Sequence, residues 1–294
     1  MVIKYLLRAA LRPVRKRRHQ KAVEALSNAD ALLISHVKCG RTWVRFALSS
    51  YFADAFDLGI EPDLRSTFSI VPNLDHDPVR GIPTFQFSSR RPQLPLIFAS
   101  HQPSTEQLAK MTPIVFVVRD PRDIIVSAYF HASRHKRRFA GDIDTFIENE
   151  LQNLISYFNQ WADTLEHRAH HVTSYERFSA DAALELRRIL VFLGIQVDDL
   201  ALQRAVQRSR FSEMQSEERR TGLPGHHYDI ADDESLRVRK GRVGGYKDYL
   251  SPEQERHIVT RCGEGLTASA LRLLADFSAF VPPATRRIYF HEFR

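Results

Sequence analysis

The stretch LLISHVKCGRTWVRF, residues 32 to 46, gathers Lys38, Cys39, Gly40, Arg41, Thr42 and Trp43 between two apolar runs. A strand that ends in a glycine-containing turn and opens a helix aims several backbone N–H groups and a positive dipole at one point, and an anion belongs there. Lys38 adds a mobile charge, and Thr42 offers a hydroxyl donor at the helix start. Because the lysine precedes the glycine, the pattern G-x-x-x-x-G-K-[ST] is not matched, and ATP or GTP hydrolysis is disfavoured.

A rival chemistry shares these residues. Cys39 and Arg45 have the C-x5-R spacing by which a thiolate nucleophile and an arginine surround a phosphate. Lys38 and the helix start would lower the thiol pKa as that chemistry requires. The loop must then be tight and glycine-rich, however, and Trp43 and Val44 occupy it. A buried small-residue role for Cys39 is the better reading.

Two further basic clusters lie downstream. VFVVRDPRDIIVSAYFH puts Arg119 at the end of a strand and Ser127 about two turns into the next helix. RVRKGRVGGYKDY supplies Arg239, Lys240 and Gly241 on a loop. Each alone is ordinary, since such residues commonly form surface ion pairs or solvated turns. Three in one chain suit a ligand with phosphates at two ends.

The elements that must position them alternate between short β-branched runs and helical patterns, which predicts an α/β fold with a central parallel sheet flanked by helices. ALLISH (31 to 36) reads as the first strand and residues 42 to 53 as the helix after it, with a P-loop-like turn between. LPLIFASH (94 to 101), PIVFVVRD (113 to 120) and HHVTSYERF (170 to 178) read as further strands. Asp120 and Pro121 supply an N-cap and first-turn proline for the helix RDIIVSAYFHAS. Helices are also expected over about 144 to 170, 180 to 193 and 198 to 209. Residues 216 to 250 read as a long loop, and SPEQ (251 to 254) opens the last clear helix with a capping box. The irregular stretch from 54 to 93 reads as a substrate-covering region, and the tail from 281 as surface-bound extended chain.

At 294 residues the chain can bury one large core, so a single domain over 29 to 294 with a basic arm over 1 to 28 is expected. Only two cysteines occur, which favours a reducing, cytoplasmic setting over a disulfide framework. The net charge of +7 is concentrated in the arm: eight of the 42 basic residues lie within the first 21, leaving 34 against 35 acids. A neutral body lacks the extended basic track that nucleic acid requires. Ile3, Leu6, Leu7, Ala10 and Val14 form an apolar stripe at helical spacing, broken near Pro13 and too short to span a bilayer. Such a stripe docks on the body, the preferred reading, or rests peripherally on an anionic membrane.

In combination these motifs resemble those of the sulfotransferases that use 3′-phosphoadenosine 5′-phosphosulfate (PAPS), over roughly residues 30 to 255. SHVKCGRTW resembles the family's Pro-Lys-Ser-Gly-Thr-Thr-Trp loop, VVRDPRDIIVSAYF its 3′-phosphate motif, and RKGRVGGYKDYLSPEQ its Arg-Lys-Gly-x-x-Gly-Asp-Trp-Lys segment. TSYERFSADAALELRRILVFLGI and FSEM resemble its Tyr-Glu strand with the following helix and its Phe-x-x-Met segment. The resemblance implies that Lys38, Cys39, Gly40, Arg41, Thr42 and Trp43 hold the 5′-phosphosulfate, with Trp43 beside the adenine. It implies that Arg119, Ser127, Arg239, Lys240 and Gly241 hold the 3′-phosphate, and that Tyr175 and Phe211 line the base. His101, in FASHQP, falls at the family's catalytic histidine and would act as general base. Lys38 would stabilise the departing oxygen, with Ser127 restraining it. The resemblance implies PAPS as donor, no metal, and an acceptor hydroxyl or amine on a small molecule, a glycan or a lipid-linked compound.

The chain also departs from the family pattern. Ala99 stands where lysine is frequent, Cys39 replaces serine, Arg41 replaces threonine and Tyr246 replaces tryptophan. The C-terminal dimer motif survives only as Lys247, so no oligomeric state is implied. A cysteine phosphatase and a non-catalytic nucleotide-binding module remain the alternative classes.

Overall fold

Four short apolar runs build the sheet: β1 (Ala31–Ser35), β2 (Ile97–Ser100), β3 (Ile114–Val118) and β4 (His170–Ser174). The computed structural model describes residues 29 to 74, 93 to 109, 113 to 222, 229, 232 to 275 and 280. The strands lie in the order β2-β1-β3-β4 and every pairing is parallel, with Leu33 opposite Ala99 and Val115, and Val117 opposite Thr173. Parallel strands need crossovers, and the helices that make them cover both faces, so β1, β2 and β3 are buried along their whole length. Residues 72 to 74 extend the β2 edge: Ala99 donates its amide to the Pro72 carbonyl at 2.8 Å, and Leu74 donates to Ala99 at 3.0 Å.

The helices follow from their caps and apolar faces. Helix α1 (Arg41–Ala55) leaves β1, and short α2 (Thr67–Ile70) and α3 (Glu106–Ala109) flank β2. The Asp120 carboxylate accepts from the Arg122 amide at 2.9 Å to open α4 (Pro121–Phe130), with Pro121 in its first turn. Asp142 caps α5 (Ile143–Glu166), whose Leu151, Leu154, Phe158 and Trp161 lie at helical spacing and are fully buried. Helices α6 (Tyr175–Ala180), α7 (Ala182–Phe192), α8 (Asp199–Arg208), α9 (Phe211–Thr221), α10 (Pro252–Gly265) and α11 (Ala268–Ala275) complete the order. The expected capping box at α10 is present, with Ser251 and Gln254 exchanging bonds of 2.8 and 3.2 Å.

Three expectations need correction. The run from 170 to 178 is not one strand, because the Ser174 hydroxyl accepts from the Arg177 amide at 3.0 Å and turns the chain into α6. The run from 216 to 250 is not one loop: α9 persists to Thr221, and two 3-10 turns follow at Asp233–Ser235 and Gly245–Asp248. The helix expected through Ser133 becomes a single π-turn over His131–His135. The arm over 1 to 28, residues 75 to 92 of the 54 to 93 region and the tail from 281 lie outside the described residues.

Candidate active site

The turn between β1 and α1 is built for close approach to an anion. Lys38 has φ of 68° and Gly40 has φ of 93°, so the chain runs through two left-handed residues before the helix. A Cβ on Gly40 would stand 2.7 Å from Tyr175 Cδ2, so only glycine fits beneath that ring. Gly40 is also the N-cap of α1 and brings no side-chain acceptor, so no side chain caps the first amides of a 15-residue helix. Lys38 and Thr42 border the same cavity.

Arg119, at the end of β3, crosses to this turn and donates to the Lys38 carbonyl at 3.2 Å. Its guanidinium lies 3.9 Å over the centre of the Tyr175 ring, and its buried Nε has no hydrogen-bond partner. On α4, the Asp123 carboxylate accepts from the amides of Gly244 and Tyr246, both at 2.9 Å. That clamp brings a loop more than a hundred residues downstream against the first half of the site. From the other side, Glu218 of α9 accepts from the amides of Arg237 and Val238, at 2.8 and 2.7 Å. Gly241, at φ of 63°, sits so close to Phe211 that an added Cβ would fall 1.9 Å from the ring.

His101 follows β2. Its Nδ1 lies 2.8 Å from the Ser35 carbonyl oxygen, which can only accept, so Nδ1 carries the proton and Nε2 keeps a lone pair. Burial and the nearby Arg41, Arg237 and Arg45 guanidinium groups push its pKa well below the usual imidazole range, so the ring is neutral near pH 7. Lys38 is pushed down to about 7 by burial and by Arg237, Arg119 and Arg239, with Glu218 opposing.

One cavity thus receives Lys38, Gly40, Arg41, Thr42 and Trp43 from the first cluster, Arg119 and Ser127 from the second, and Arg239, Lys240 and Gly241 from the third. His101, Tyr175 and Phe211 border it as well. Cys39 does not: it lies in the core, fully buried, and burial raises its thiol pKa far above the range of a nucleophile. The expectation that its side chain holds phosphosulfate is corrected on that ground. Arg45 turns toward Asn73 and Phe68 rather than wrapping the thiol, which removes the second half of the phosphatase pattern. Tyr175 presents an already covered face, because Arg119 stacks on it. Trp43 packs edge-on against Tyr175 and Phe178, and its buried indole N–H has no partner.

Asp123, Glu218, Ser35 and Arg237 were not singled out from the sequence. Asp123 stands one helical turn after Arg119, in ion-pair contact at 3.7 Å, and that i, i+4 spacing was the available signal. Glu218 and Ser35 act through backbone groups, which no spacing rule reveals. The donor set suits a polyanion: unpartnered Arg119 Nε, uncapped α1 amides, two glycine cradles, and a lining whose one carboxylate among the described residues, Asp123, is bound to amides.

Comparison with known proteins gives the class. The chain belongs to the sulfotransferase family, whose model, described as a sulfotransferase domain, matches residues 28–270. Among individual relatives, cytosolic sulfotransferase 1 of Arabidopsis thaliana is 24% identical over 280 residues, covering 83% of this chain and 81% of that protein. Sulfotransferase 1A1 of Mus musculus is 23% identical, covering 78% and 81%. The fold is shared with a mouse sulfotransferase complexed with PAP, at a TM-score of 0.60 and 20% identity, covering 86% and 92%. It is shared too with a retinol dehydratase in complex with androsterone and the inactive cofactor PAP, at a TM-score of 0.58 and 19% identity, covering 81% and 80%.

Proposed function

We propose that this enzyme transfers a sulfuryl group from PAPS to a hydroxyl or amine, with His101 as general base. The observation that carries this reading is the convergence of three basic clusters, remote in sequence, on one cavity that His101 also borders, its Nδ1 tied to the Ser35 carbonyl. Bound PAPS would supply an activated sulfuryl group, its two ends held by the two halves of the cavity. Lys38, Gly40, Arg41 and Thr42 would hold the 5′-phosphosulfate through the amides of α1 and two cations. Arg119, Ser127, Arg239, Lys240 and Gly241 would hold the 3′-phosphate, with Trp43 and Phe211 offering aromatic surface to the base.

The proton path follows from the Ser35 bond. With Nδ1 donating to a fixed carbonyl, Nε2 faces the acceptor and takes its proton as the new bond forms. Lys38 belongs to the phosphate loop and borders the cavity with His101, so its ammonium would meet charge that develops on the departing oxygen, while Ser127 would restrain it. A dianion beside Lys38 raises its pKa and keeps it protonated at the moment it is needed.

The acceptor would be a small molecule, a glycan or a lipid-linked compound, and the protein would act in the cytoplasm. No helix among the described residues is long and apolar enough to cross a membrane. Contact of residues 1 to 21 with a membrane surface is tested by liposome co-sedimentation with and without that segment. The deciding experiment for the whole reading is a thermal-shift comparison of 3′,5′-adenosine bisphosphate with ATP and inorganic phosphate. The bisphosphate should stabilise most. Equal response to all three would sink the reading.

A further inference from the structure

Arg45 stands one helical turn after Arg41 on α1; it does not border the cavity, yet it is only 3% exposed. Among the described residues its partners are neutral: Nη2 donates to Asn73 Oδ1, the guanidinium lies 4.5 Å over Phe68, and the buried Nε has no acceptor. An apolar side chain of similar volume would fill that place at lower cost, so the guanidinium matters for what it holds.

What it holds is the outer edge of β2. Asn73 is bridged to Ala99: on either side of it the Pro72 carbonyl accepts from the Ala99 amide at 2.8 Å, and the Leu74 amide donates to the Ala99 carbonyl at 3.0 Å. The other edge of β2 pairs with β1, Leu33 opposite Ala99. His101 follows Ala99 by two residues, just past the end of β2, and its Nδ1 donates to the Ser35 carbonyl on the β1 side. Arg45 thus ties α1, the helix that follows the Lys38 turn, to the opposite edge of the strand that carries His101. Ser49, one turn further along α1, bonds the Thr67 hydroxyl at 2.6 Å, so α1 grips the 67 to 74 segment at two points. Charge reaches the ring as well as geometry. Burial first, and then three guanidinium groups, hold the His101 pKa low: Arg41 and Arg45 of α1 and Arg237 of the loop after the Asp233–Ser235 turn, with the Ser35 carbonyl of β1 opposing them. Lys38 borders the same cavity.

We propose that Arg45 is a positioning residue for His101: through Asn73 it fixes the end of β2, and with it the imidazole, against α1. Its charge also disfavours a second proton on the ring. The inference rests on the sulfotransferase reading above, in which His101 is the base, and it gives the arginine of the C-x5-R spacing a part in that reaction instead of in a phosphatase.

The test follows the His101 ring by NMR in the full chain carrying nitrogen-labelled histidine, its signals assigned by their loss in His101→Ala. In the wild type the ring should be a single tautomer with the proton on Nδ1. Asn73→Leu keeps the charge and cuts the tie, so a second tautomer should appear in about a tenth of the molecules or more, with no rise in the pH at which the ring takes its second proton. Arg45→Met removes both, so the second tautomer should appear and that pH should rise by about one unit. Arg45→Lys restores a charge, and the pH should return toward the wild-type value. A retained thermal shift with 3′,5′-adenosine bisphosphate shows that each variant is folded, and if Arg45→Met loses that shift, Asn73→Leu decides alone. The wild-type tautomer by itself in folded Asn73→Leu overturns the inference, whatever the charge does. A wild-type protein that shows no shift with the bisphosphate overturns the underlying reading instead, and the inference with it.

Discussion

The Nδ1 of His101 is committed to the Ser35 carbonyl at 2.8 Å, so the imidazole proposed as base is oriented by the last residue of β1. Because β1 also leads into the Lys38 turn, His101 and Lys38 are both fixed to one strand. His101→Ala should therefore reduce transfer by about 10²- to 10⁴-fold while the bisphosphate thermal shift is retained. Since the folded-state pKa of His101 lies well below its ordinary value, kcat/KM should show no acid limb near pH 6.5. A limb centred there would mean that another group is the base.

Lys38 gives a second pH signature. With its pKa at about 7 in the free protein, Lys38 is largely neutral at about pH 8, and a bound polyanion restores its proton. Binding of the bisphosphate at that pH should take up protons, and affinity should fall as pH rises through 7. Calorimetry in two buffers of different ionisation enthalpy measures this, and proton release would contradict it. The ligand-free protein should grow more stable as pH rises from about 7 toward 10.5, because the unfolded chain holds the Lys38 proton longer than the folded one.

Gly241→Ala should impair the site locally. The new Cβ would fall 1.9 Å from Phe211 in a left-handed backbone, so the ring must move off the cavity wall. A strain of about 1–2 kcal/mol predicts a Tm lower by a few degrees. Bisphosphate affinity should drop by more than that loss of stability implies. An unchanged Kd would show that Phe211 does not face the nucleotide.

Asp123→Ala removes the acceptor of two amides, Gly244 and Tyr246, at a cost of about 1–3 kcal/mol for each buried group left unpaired. The loop bearing Arg239, Lys240 and Gly241 then loses its tie to α4. Weakened bisphosphate binding, with ATP and phosphate responses little altered, is the expected result in titration calorimetry.

Cys39→Ser separates the two chemistries that the first motif allowed. Transfer and bisphosphate binding should persist, with stability lower by about 1–3 kcal/mol for a hydroxyl buried in the core. Abolished activity in a folded variant would return Cys39 to the reaction.

What was legible in the sequence was local. The strand, turn and helix around Lys38, the Asp120 cap with Pro121, and the Ser251 box are each set by a few adjacent residues, and all appear where expected. That Arg119 and Arg239 would join Lys38 came from resemblance, because contact between residues 38 and 239 follows from topology rather than spacing. Helix α9 was read partly as loop because its polar sequence offers little apolar periodicity; its buried face is Met214 and Glu218, and Glu218 is satisfied by distant amides. The end of β4 was misplaced because Ser174 serves both as strand residue and as cap.

The Asp123 clamp has an implication for synthesis. Its carboxylate waits on amides made 121 and 123 residues later, so during translation α4 forms well before the groups that satisfy it. The side of the cavity lined by Arg239, Lys240 and Gly241 is therefore completed late, and α10 and α11, whose Cys262 and Leu274 fill the core, are made later still.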